Sequence, residues 1–304
     1  MTDSDRVGGG MEHIRRLAAS RPGDETRVFF ADRGECTPAV VDAWGADEVS
    51  VHHLRALLQL FRSPFSRPRG KVVFTVHGIH LRKYGFLPKT AANRLKRRLR
   101  LELERLLYRR CDRLVALTAA DAAELARLYG RLPPVDVVPN RVDASEFKGP
   151  EAALRYGKGA FAFACIARFD FQKGQDVLAR AIAIAQGALR AAGRRTLFIG
   201  DGPTRSEVER IAAESGAADL MEFAGEIPGA GAYMACAGTL VAPSRWEGMP
   251  YLLLEAAARG RRVIASDCPG NREALAACRD AALFPVEDSA ALAAMLATGA
   301  EIGV

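Results

Sequence analysis

Two glutamates bracket a turn that is suited to binding an anion. Seven residues separate Glu247 from Glu255, and Pro250 between them suits the first position of a helix, because a proline there loses no hydrogen bond. Gly248 and Met249 then lie in the loop before the helix, where free backbone N–H groups and the helix dipole favour a phosphate. The helical rise places Glu255 roughly 7–8 Å along the axis from Pro250. The two acids therefore suit hydroxyl groups at different ends of one elongated ligand.

The same stretch also has a structural interpretation that needs no ligand. In it, Glu247 only stabilises the dipole of the helix that follows, and Glu255 is a solvated residue of the second helical turn. The stretch alone leaves both interpretations open, so residues elsewhere in the chain must decide between them.

Three further candidates follow predicted strands in the C-terminal half. Arg168 directly follows a strand, Lys173 stands just before the next helix, and Gly202 lies in the turn after the second strand. In open parallel sheets, ligands bind beyond the carboxyl ends of the strands. Two cations there can donate charge-assisted hydrogen bonds to a phosphate near the Gly248 amide. Together with the two glutamates, these residues describe a pocket for a nucleotide diphosphate.

Apolar runs alternate with helical patterns along the chain. Strands are predicted at 27–31, 48–51, 71–76, 113–117, 135–138, 161–167, 196–199, 221–223, 239–242, 263–265 and 282–284. Helices are predicted at 11–19, 91–110, 120–129, 175–185, 204–215, 250–259, 272–277 and from 289. This alternation indicates an α/β protein with mostly parallel sheets.

The length of 304 residues is enough for two domains of ordinary size. A weak stretch with glycines and a proline at 148–159 predicts a linker. We therefore expect an N-terminal domain at 1–149 and a C-terminal domain at 158–304.

The net charge of +7 is unevenly distributed. Residues 1–150 contain 27 Lys and Arg against 18 Asp and Glu, whereas residues 151–304 contain 16 against 18. A basic half points to an anionic partner, for which nucleic acid, an anionic membrane surface and a phosphorylated substrate are candidates. A solvated basic face is an equal alternative.

Cysteine usage and hydropathy point to the cytoplasm. The six cysteines are scattered without a C-x-x-C pair, which argues for a reducing compartment and against structural zinc. We expect no membrane-spanning helix, and the polar, glycine-rich first ten residues do not resemble a signal peptide.

The ordered motifs of the C-terminal half resemble the donor half of GT-B retaining glycosyltransferases of family 4. The motifs are Arg168 with Lys173-Gly174, Gly200-Asp201-Gly202, Pro243-Ser244, Glu247-Gly248-Met249-Pro250, Glu255-Ala256 and Gly270. The spacing of the two glutamates is the most specific element, and the resemblance continues more weakly through residues 7–147. It implies two Rossmann-like domains facing across a cleft, an acceptor-side N-terminal domain and a C-terminal domain for the nucleotide-sugar donor.

The resemblance also implies an activity. A sugar would pass from a nucleotide-diphosphate sugar to a glycan or lipid-linked acceptor, with retained configuration and without an obligatory metal or other cofactor. Carried over by position, Arg168 and Lys173 hold the diphosphate, Glu255 binds the ribose hydroxyls, and Glu247 with the Gly248 and Met249 amides addresses the donor sugar. Gly202 completes the expected donor site. The expected setting is bacterial cell-surface polysaccharide or lipopolysaccharide synthesis in the cytoplasm.

Two candidates lie in the N-terminal half. His77 ends a buried strand, and the resemblance places a histidine near here close to the donor sugar. A structural histidine is the alternative for His77, and His80 is a second candidate, whereas His52 and His53 are less favoured. Gly9 and Gly10 are expected in a loop on the acceptor side, where glycine permits close backbone approach.

The chain departs from the family pattern at both ends. A first strand should precede the glycine loop, and a helix should cross back to the first domain at the end. Both are expected to be missing or shortened here, because residues 1–6 are polar and the chain stops soon after the pattern that begins at 289. A non-catalytic remnant that only binds nucleotide-sugar is therefore the alternative function.

The basic helix predicted at 91–110 has two interpretations. It can lie on an anionic membrane, which makes the protein peripheral at the inner face of the cell membrane. Alternatively, Leu95, Leu99, Leu103 and Leu106-Leu107 form a core stripe and the arginines face water. A nucleic-acid-binding protein is disfavoured because zinc spacing and interleaved aromatics are missing, and a dinucleotide dehydrogenase because no G-x-G-x-x-G follows a strand.

Overall fold

The computed structural model describes residues 9–21, 23–143 and 155–298. The chain divides into two compact units, Met1–Asn140 and Arg141–Val304. Part of the predicted linker lies outside the described residues, as do residues 1–8 and 299–304. The expectation of a missing first strand and a missing final helix therefore falls on segments outside the described residues.

The first unit contains a four-stranded parallel sheet whose strands lie side by side in chain order. The strands are β1 (Glu48–Val51), β2 (Lys71–Val76), β3 (Arg113–Ala116) and β4 (Val135–Val137). The helices are α1 (Gly9–Ala19), α2 (Pro38–Trp44), α3 (Leu54–Leu60), α4 (Lys83–Phe86), α5 (Ala91–Tyr108) and α6 (Ala119–Tyr129). Leu57, Val72 and Leu114 are fully buried in one hydrophobic core.

Threonines begin three of these helices. Thr37, Thr90 and Thr118 have extended backbone, and each hydroxyl accepts a hydrogen bond from the backbone N–H three residues later. Each cap satisfies an N–H group that has no partner within its helix. A short side-chain acceptor before a helical pattern therefore fixes where each helix starts.

The strand predicted at 27–31 does not form. Phe30 makes an isolated bridge, and Ala31–Arg33 is a 3-10 turn. The backbone of Phe30 is satisfied locally, because its N–H donates to the Glu35 carboxylate over 2.8 Å and its carbonyl accepts from the Glu35 N–H over 3.1 Å. Phe29 and Ala31 are buried in the core. The apolar run therefore reflects a packed loop, not a strand.

The basic helix α5 does not bury the leucine stripe that we predict. Leu95, Leu99 and Leu106 are 57%, 61% and 61% exposed. Leu107, a member of the predicted stripe, is buried together with Tyr108, and Leu103 packs against the core. The prediction of a core stripe is therefore wrong for Leu95, Leu99 and Leu106, and α5 presents these apolar side chains to its surroundings.

A buried carboxylate explains this orientation of α5. Glu104 is 2% exposed, pairs with Arg100 and accepts a hydrogen bond from the Tyr129 hydroxyl. A buried charge is tolerated only when it is paired and hydrogen-bonded. Because Glu104 lies on the buried face of α5, the helix is rotated relative to the orientation that the leucine pattern predicts.

The second unit contains a six-stranded parallel sheet in the order β10-β9-β8-β5-β6-β7. The strands are β5 (Phe161–Ile166), β6 (Thr196–Ile199), β7 (Met221–Phe223), β8 (Ala237–Ala242), β9 (Arg262–Ser266) and β10 (Ala281–Phe284). The helices are α7 (Gln175–Ala191), α8 (Arg205–Glu214), α9 (Tyr251–Ala258), α10 (Pro269–Ala274) and α11 (Ser289–Thr298). The prediction of parallel sheets is confirmed for both units.

The strand order creates a switch point between β5 and β8. The chain runs outwards from β5 through β6 to β7, then returns to the other side of β5 with β8 and continues to β10. Counted from β5, this is the doubly wound order 3-2-1-4-5-6, which binds nucleotides where the order reverses. The loops that follow β5 and β8 leave neighbouring strands at the same sheet edge.

Two predicted helix boundaries are corrected by proline. The helix predicted at 272–277 forms at Pro269–Ala274, because Pro269 suits the first helical turn. The helix predicted from Pro250 begins at Tyr251, with Pro250 as its N-cap. None of the described helices combines the length and the apolar character that a transmembrane span needs.

Gly174, just before α7, lies where the loops after β5 and β8 approach each other. Its φ is +66°, and an added Cβ would lie 2.1 Å from the carbonyl oxygen of Pro243. A left-handed conformation costs a residue other than glycine about 1–2 kcal/mol. A clash with a backbone oxygen adds to this cost, because no side-chain rotation relieves it.

We expect Gly174→Ala to lower the free energy of unfolding by about 2 kcal/mol or more, measured by urea titration. Gly187→Ala is the matched control, since Gly187 lies inside α7 and an added Cβ there meets nothing within 4 Å. The control should stabilise the protein by about 0.5–1 kcal/mol. Two substitutions with the same effect would show that the loops do not meet at Gly174.

Candidate functional site

The loops after β5 and β8 carry most of the residues that we predict for the donor site. The loop after β5 contains a 3-10 turn, Phe171–Lys173, which begins at Asp170. The Asp170 carboxylate accepts a hydrogen bond from the Gln172 N–H over 3.1 Å, so the turn is capped like a helix. This cap fixes the direction in which Lys173 leaves the backbone.

Lys173 and Glu247 form an ion pair between these loops. The Lys173 Nζ lies 2.6 Å from the Glu247 Oε1, and the Ser244 hydroxyl donates to the same oxygen over 2.7 Å. The Gln172 Nε2 lies 3.3 Å from the other carboxylate oxygen. The side chain of Glu247 is 8% exposed and that of Lys173 is 28% exposed. The carboxylate is therefore held in place, while the ammonium stays accessible to an anion.

Arg245 fixes the same two loops to each other. Its side chain is 3% exposed and pairs with Asp176 and Glu287. Its guanidinium donates to the Phe171 carbonyl over 2.6 Å and lies 4.0 Å from the centre of the Phe171 ring. Its backbone N–H donates to the Gln172 carbonyl over 2.7 Å. Arg245 thus determines how close the turn with Lys173 lies to Glu247.

Arg168 has a different environment from Lys173. Its Nη2 lies 2.6 Å from the Asp170 Oδ2, and its side chain is 69% exposed. The structure therefore pairs Arg168 with Asp170 and brings Lys173 to Glu247. Exposure leaves the Arg168 guanidinium able to reorient towards an anion near the β5 loop.

Gly202 permits a close backbone approach. Its φ is +152°, and an added Cβ would lie 2.2 Å from the Phe169 carbonyl oxygen. At Gly200, with a φ of +135°, an added Cβ would lie 2.1 Å from the Ala167 carbonyl oxygen. The Gly202 N–H donates to the Asp201 carboxylate over 2.7 Å. The turn after β6 therefore packs its backbone directly on the loop after β5.

Gly248 and Met249 precede α9, as we predict. Gly248 is buried and Met249 is half-buried. An added Cβ at Gly270, in α10, would lie 2.3 Å from the Gly248 carbonyl oxygen and 2.5 Å from that of Glu247. Gly270 thus lets α10 pack against the backbone before α9, which fixes the position of the Gly248 amide.

Glu255 lies in the second turn of α9, in a different environment from Glu247. It is half-buried and faces the 3-10 helix Ala230–Cys236. An added Cβ at Gly231 in that helix would lie 2.9 Å from the Glu255 Oε2. The two acids therefore have separate local partners, as two acids that bind different ends of one ligand require.

His77 follows β2 and lies in a cluster with His13 and His52. The His52 Nδ1 is 3.1 Å from the His77 Nε2, and one ring nitrogen from each of the three lies within 4.8 Å of the others. Burial lowers the pKa of all three histidines. They are therefore neutral near pH 7 and can accept a hydrogen bond or ligate a metal.

The two predicted acceptor-side glycines are not in a loop. Gly9 and Gly10 are the first two residues of α1. Glycine is disfavoured mainly in a helix interior, so the strong helical pattern that follows extends the helix back to Gly9. The expectation of a glycine loop at these two positions is wrong.

The sequence analysis did not identify four residues of the described sites as functional candidates: Gln172, Asp176, Arg245 and His13. Their contacts cross long separations along the chain, such as the one between Asp176 and Arg245, which no local pattern reveals. The available signal was weak, namely that the first three stand next to, or within three residues of, a predicted site residue.

The sheet order and the loops at the switch point define the class of protein. The Anabaena protein HepE, solved in complex with UDP and glucose, has the same fold with a TM-score of 0.74. It is 18% identical in sequence, and the match covers 99% of this chain and 88% of HepE. The fold is therefore GT-B, which confirms the fold class that we predict.

The family follows from both halves of the sequence. Residues 7–146 match the family described as "Glycosyltransferase Family 4", and residues 160–299 match "Glycosyl transferases group 1". The chain belongs to the family 4 glycosyltransferases, as its motifs indicate.

Two curated relatives show how much of a longer protein this chain matches. The 2-deoxystreptamine glucosyltransferase of Streptomyces kanamyceticus is 30% identical over 235 residues, which cover 73% of this chain and 60% of that protein. The lipopolysaccharide core biosynthesis mannosyltransferase LpsB of Rhizobium meliloti is 30% identical over 178 residues, which cover 53% and 47%. The chain thus spans about half to three fifths of the length of these relatives.

The ion pair of Arg245 with Asp176 makes the stability of the site depend on pH. Burial raises the pKa of Asp176, but hydrogen bonds and charge from Arg245 and Arg180 outweigh it and hold the pKa below its usual value. A carboxyl group whose pKa is depressed by folding stabilises the fold above its unfolded-state pKa. That contribution is lost as the pH falls through the folded-state pKa.

We expect Asp176→Asn to lower the free energy of unfolding at pH 7 by about 1.5–3 kcal/mol, because it removes a charged hydrogen-bond acceptor from a buried guanidinium. The difference from the wild type should begin to shrink below about pH 4, the ordinary pKa of an aspartate, and should be lost as the pH falls through the lower folded-state pKa. Arg180→Gln is the control, since the Arg180 side chain is 46% exposed and such pairs contribute about 0–1 kcal/mol. A difference that stays constant down to pH 2 contradicts this assignment.

Proposed function

We propose that this protein transfers a sugar from a nucleotide-diphosphate sugar to a glycan or lipid-linked acceptor, with retention of configuration. The expected process is the synthesis of cell-surface polysaccharide or lipopolysaccharide. The observation that carries the proposal is the Lys173–Glu247 pair at the switch point between β5 and β8. A nucleotide bound at a switch point places its phosphates beside these loops.

The local charges favour loss of a nucleotide diphosphate. Negative charge grows on the leaving diphosphate as the glycosidic bond breaks, and preorganised cations and amides stabilise it. Lys173 and Arg168 supply two cations, and the Gly248 and Met249 amides precede a helix N-terminus. In this proposal Gly202 keeps the neighbouring turn close enough to line the pyrophosphate.

The two glutamates have separate roles in the proposal. Glu247 accepts hydrogen bonds from Lys173 and Ser244, so it both orients the ammonium and presents a fixed acceptor to donor-sugar hydroxyls. Glu255 lies further along α9 and binds the ribose hydroxyls. Both roles use ionised carboxylates as hydrogen-bond acceptors, and neither requires proton transfer.

His77 is the catalytic candidate of the first unit. A neutral imidazole can accept a hydrogen bond from a sugar hydroxyl, and the lowered pKa of His77 keeps it neutral at pH 7. Its contact with His52 fixes the ring orientation. Gly9 and Gly10 open α1 on the side that we assign to the acceptor.

A small soluble acceptor is the second candidate. It is favoured by the Streptomyces kanamyceticus relative, whose name specifies 2-deoxystreptamine, a small polyhydroxylated ring, as its acceptor. A panel with both lipid-linked glycans and aminocyclitols distinguishes these two acceptor classes. Binding of a nucleotide-sugar without transfer to any acceptor would instead support a non-catalytic remnant.

We expect Lys173→Met to lower the transfer rate by about 10²–10³-fold, because it removes a cation from the leaving group. Glu255→Gln should weaken donor binding by about tenfold or more, through hydrogen bonds from ribose to a charged acceptor. Nucleotide release from UDP- and GDP-sugars, calorimetric donor binding and mass spectrometry of products measure these effects.

The matched control for both substitutions is Glu214→Gln. Glu214 lies in the same unit, is 63% exposed and pairs with Arg210 along α8, so its loss should leave donor binding unchanged. Thermal melts establish that each variant is folded. Wild-type turnover in a folded Lys173→Met protein would refute the role of Lys173.

The exposed leucines of α5 support the proposal of peripheral membrane contact. Leu95, Leu99 and Leu106 are exposed, and basic residues at 94, 96, 97, 98 and 100 accompany them. An anionic surface attracts each nearby basic residue with about 1 kcal/mol, while the leucines can enter the acyl boundary. This combination fits a helix that lies in the membrane interface.

We expect Leu99→Gln to lower binding to phosphatidylglycerol vesicles by about tenfold, because burying a leucine contributes about 1.5–3 kcal/mol. Ile184→Gln is the control, since Ile184 is equally exposed, at 61%, on α7 of the other unit. Sedimentation with vesicles at low and high salt measures the apolar and the electrostatic contributions to membrane binding. An equal loss of vesicle binding in both variants would contradict membrane contact through α5. Vesicle binding that does not depend on the charge of the lipid would also contradict it.

A further inference from the structure

We propose that His13, His52 and His77 form a binding site for a divalent late-transition-metal ion, with zinc as the best-fitting ion. The site lies within the first unit, where His13 belongs to α1, His52 follows β1 and His77 follows β2. All three histidines belong to the first unit, and the argument for the metal site does not rest on the proposed transfer reaction, although the two proposals share His77.

The distances between the ring nitrogens approach those of a three-histidine site. Zinc bound at about 2.0–2.1 Å in a tetrahedral arrangement holds its nitrogen ligands about 3.3–3.4 Å apart. The His52 Nδ1 and the His77 Nε2 are already 3.1 Å apart. One nitrogen from each histidine lies within 4.8 Å of the other two. Side-chain movements that shorten the longest of these separations by up to about 1.5 Å therefore complete the three-ligand geometry.

Asn140 orients one of the ligands. Its Oδ1 lies 2.9 Å from the His13 Nδ1, and the residue is 7% exposed. A proton on Nδ1 that is donated to this amide oxygen leaves the lone pair on Nε2, the nitrogen that then ligates. In most metal-bound histidines, a hydrogen bond from the ring nitrogen that does not bind the metal fixes the tautomer in this way.

The chemistry of the cluster selects the class of ion. Imidazole nitrogen suits zinc, copper and nickel, whereas magnesium and calcium require oxygen ligands. An imidazole binds a metal ion through an unprotonated ring nitrogen, so the affinity of the site should fall as the pH falls. Three neutral ligands leave a fourth position for water or an anion.

Cobalt titration of untagged, chelator-stripped protein tests the proposal directly, because Co²⁺ reports tetrahedral geometry through intense visible absorption. We expect one Co²⁺ per chain, displaced by Zn²⁺. X-ray absorption of the zinc form should show three imidazole nitrogens at about 2.0 Å. These wild-type measurements need no variant to fold.

The remaining two of the five histidines in the chain provide matched controls. His53→Asn and His80→Asn should leave the metal affinity within about twofold of the wild type. By contrast, His13→Asn, His52→Asn and His77→Asn should each reduce the metal affinity by about 10–100-fold or more, the effect known for loss of a residue that supports a ligand. Asn140→Ala should fall in that 10–100-fold range. Melting curves identify any variant that does not fold.

Several results would overturn the proposal. Failure of wild-type protein to bind Co²⁺ or Zn²⁺ stoichiometrically would show that the cluster is a hydrogen-bonded set that only holds His77 in place. Equal affinity among all five single-histidine variants would place the ion elsewhere. An X-ray absorption spectrum with fewer than three imidazole ligands would exclude the assigned ligand set.

Discussion

The buried guanidinium of Arg245 is the constraint on which the donor-side geometry depends. A charge that is almost fully withdrawn from water must be paired, and Arg245 meets that requirement with Asp176 on α7 and Glu287 before α11. It also donates to the backbone of the turn that carries Lys173, through the Phe171 carbonyl. The loops after β5 and β8 therefore cannot separate without leaving a charge unpaired. The short contact between Lys173 and Glu247 is a consequence of this arrangement, because each side chain leaves a loop that Arg245 already holds.

Glycine makes this close contact between loops sterically possible. An added Cβ at Gly174 would overlap the carbonyl oxygen of Pro243, and one at Gly270 would overlap those of Glu247 and Gly248. All three oxygens belong to the loop after β8. The backbone segments therefore pack against each other directly, and their positions are set by main-chain contacts and not by flexible side chains. A site built this way is preorganised, since Lys173 and the Gly248 amide do not need to be gathered when an anion arrives. Arg168 is exposed and pairs with its neighbour Asp170. Its guanidinium can therefore reorient, whereas the ammonium of Lys173 is held in place by Glu247.

Sequence patterns predicted the parts of this site better than the way they fit together. The acids at 247 and 255 and the cation at 173 could be chosen because helix starts and strand ends have local signatures. Their partners could not, because the contact of Asp176 with Arg245 depends on β8 returning to the side of β5. Two other predictions failed for different reasons. The apolar run at 27–31 forms only an isolated bridge at Phe30, and α5 turns a different face inward because Glu104 accepts a hydrogen bond from the Tyr129 hydroxyl on α6. A nonlocal partner therefore decided the orientation of α5, whereas the backbone of Phe30 is satisfied by Glu35, only five residues away.

The polar side chains at the switch point of the second unit form ion pairs, whereas the clustered histidines of the first unit are neutral. At the switch point of the second unit, cations and carboxylates are ionised and paired, which suits recognition of a diphosphate. In the first unit, His13, His52 and His77 are desolvated and neutral, which suits uncharged hydroxyls or a metal ion. The His77 Nε2 lies 3.1 Å from the His52 Nδ1, so an ion held at the proposed site would take the lone pair of this nitrogen. The His77 ring would then carry its proton on Nδ1 and could only donate a hydrogen bond there, whereas the metal-free ring can also accept one.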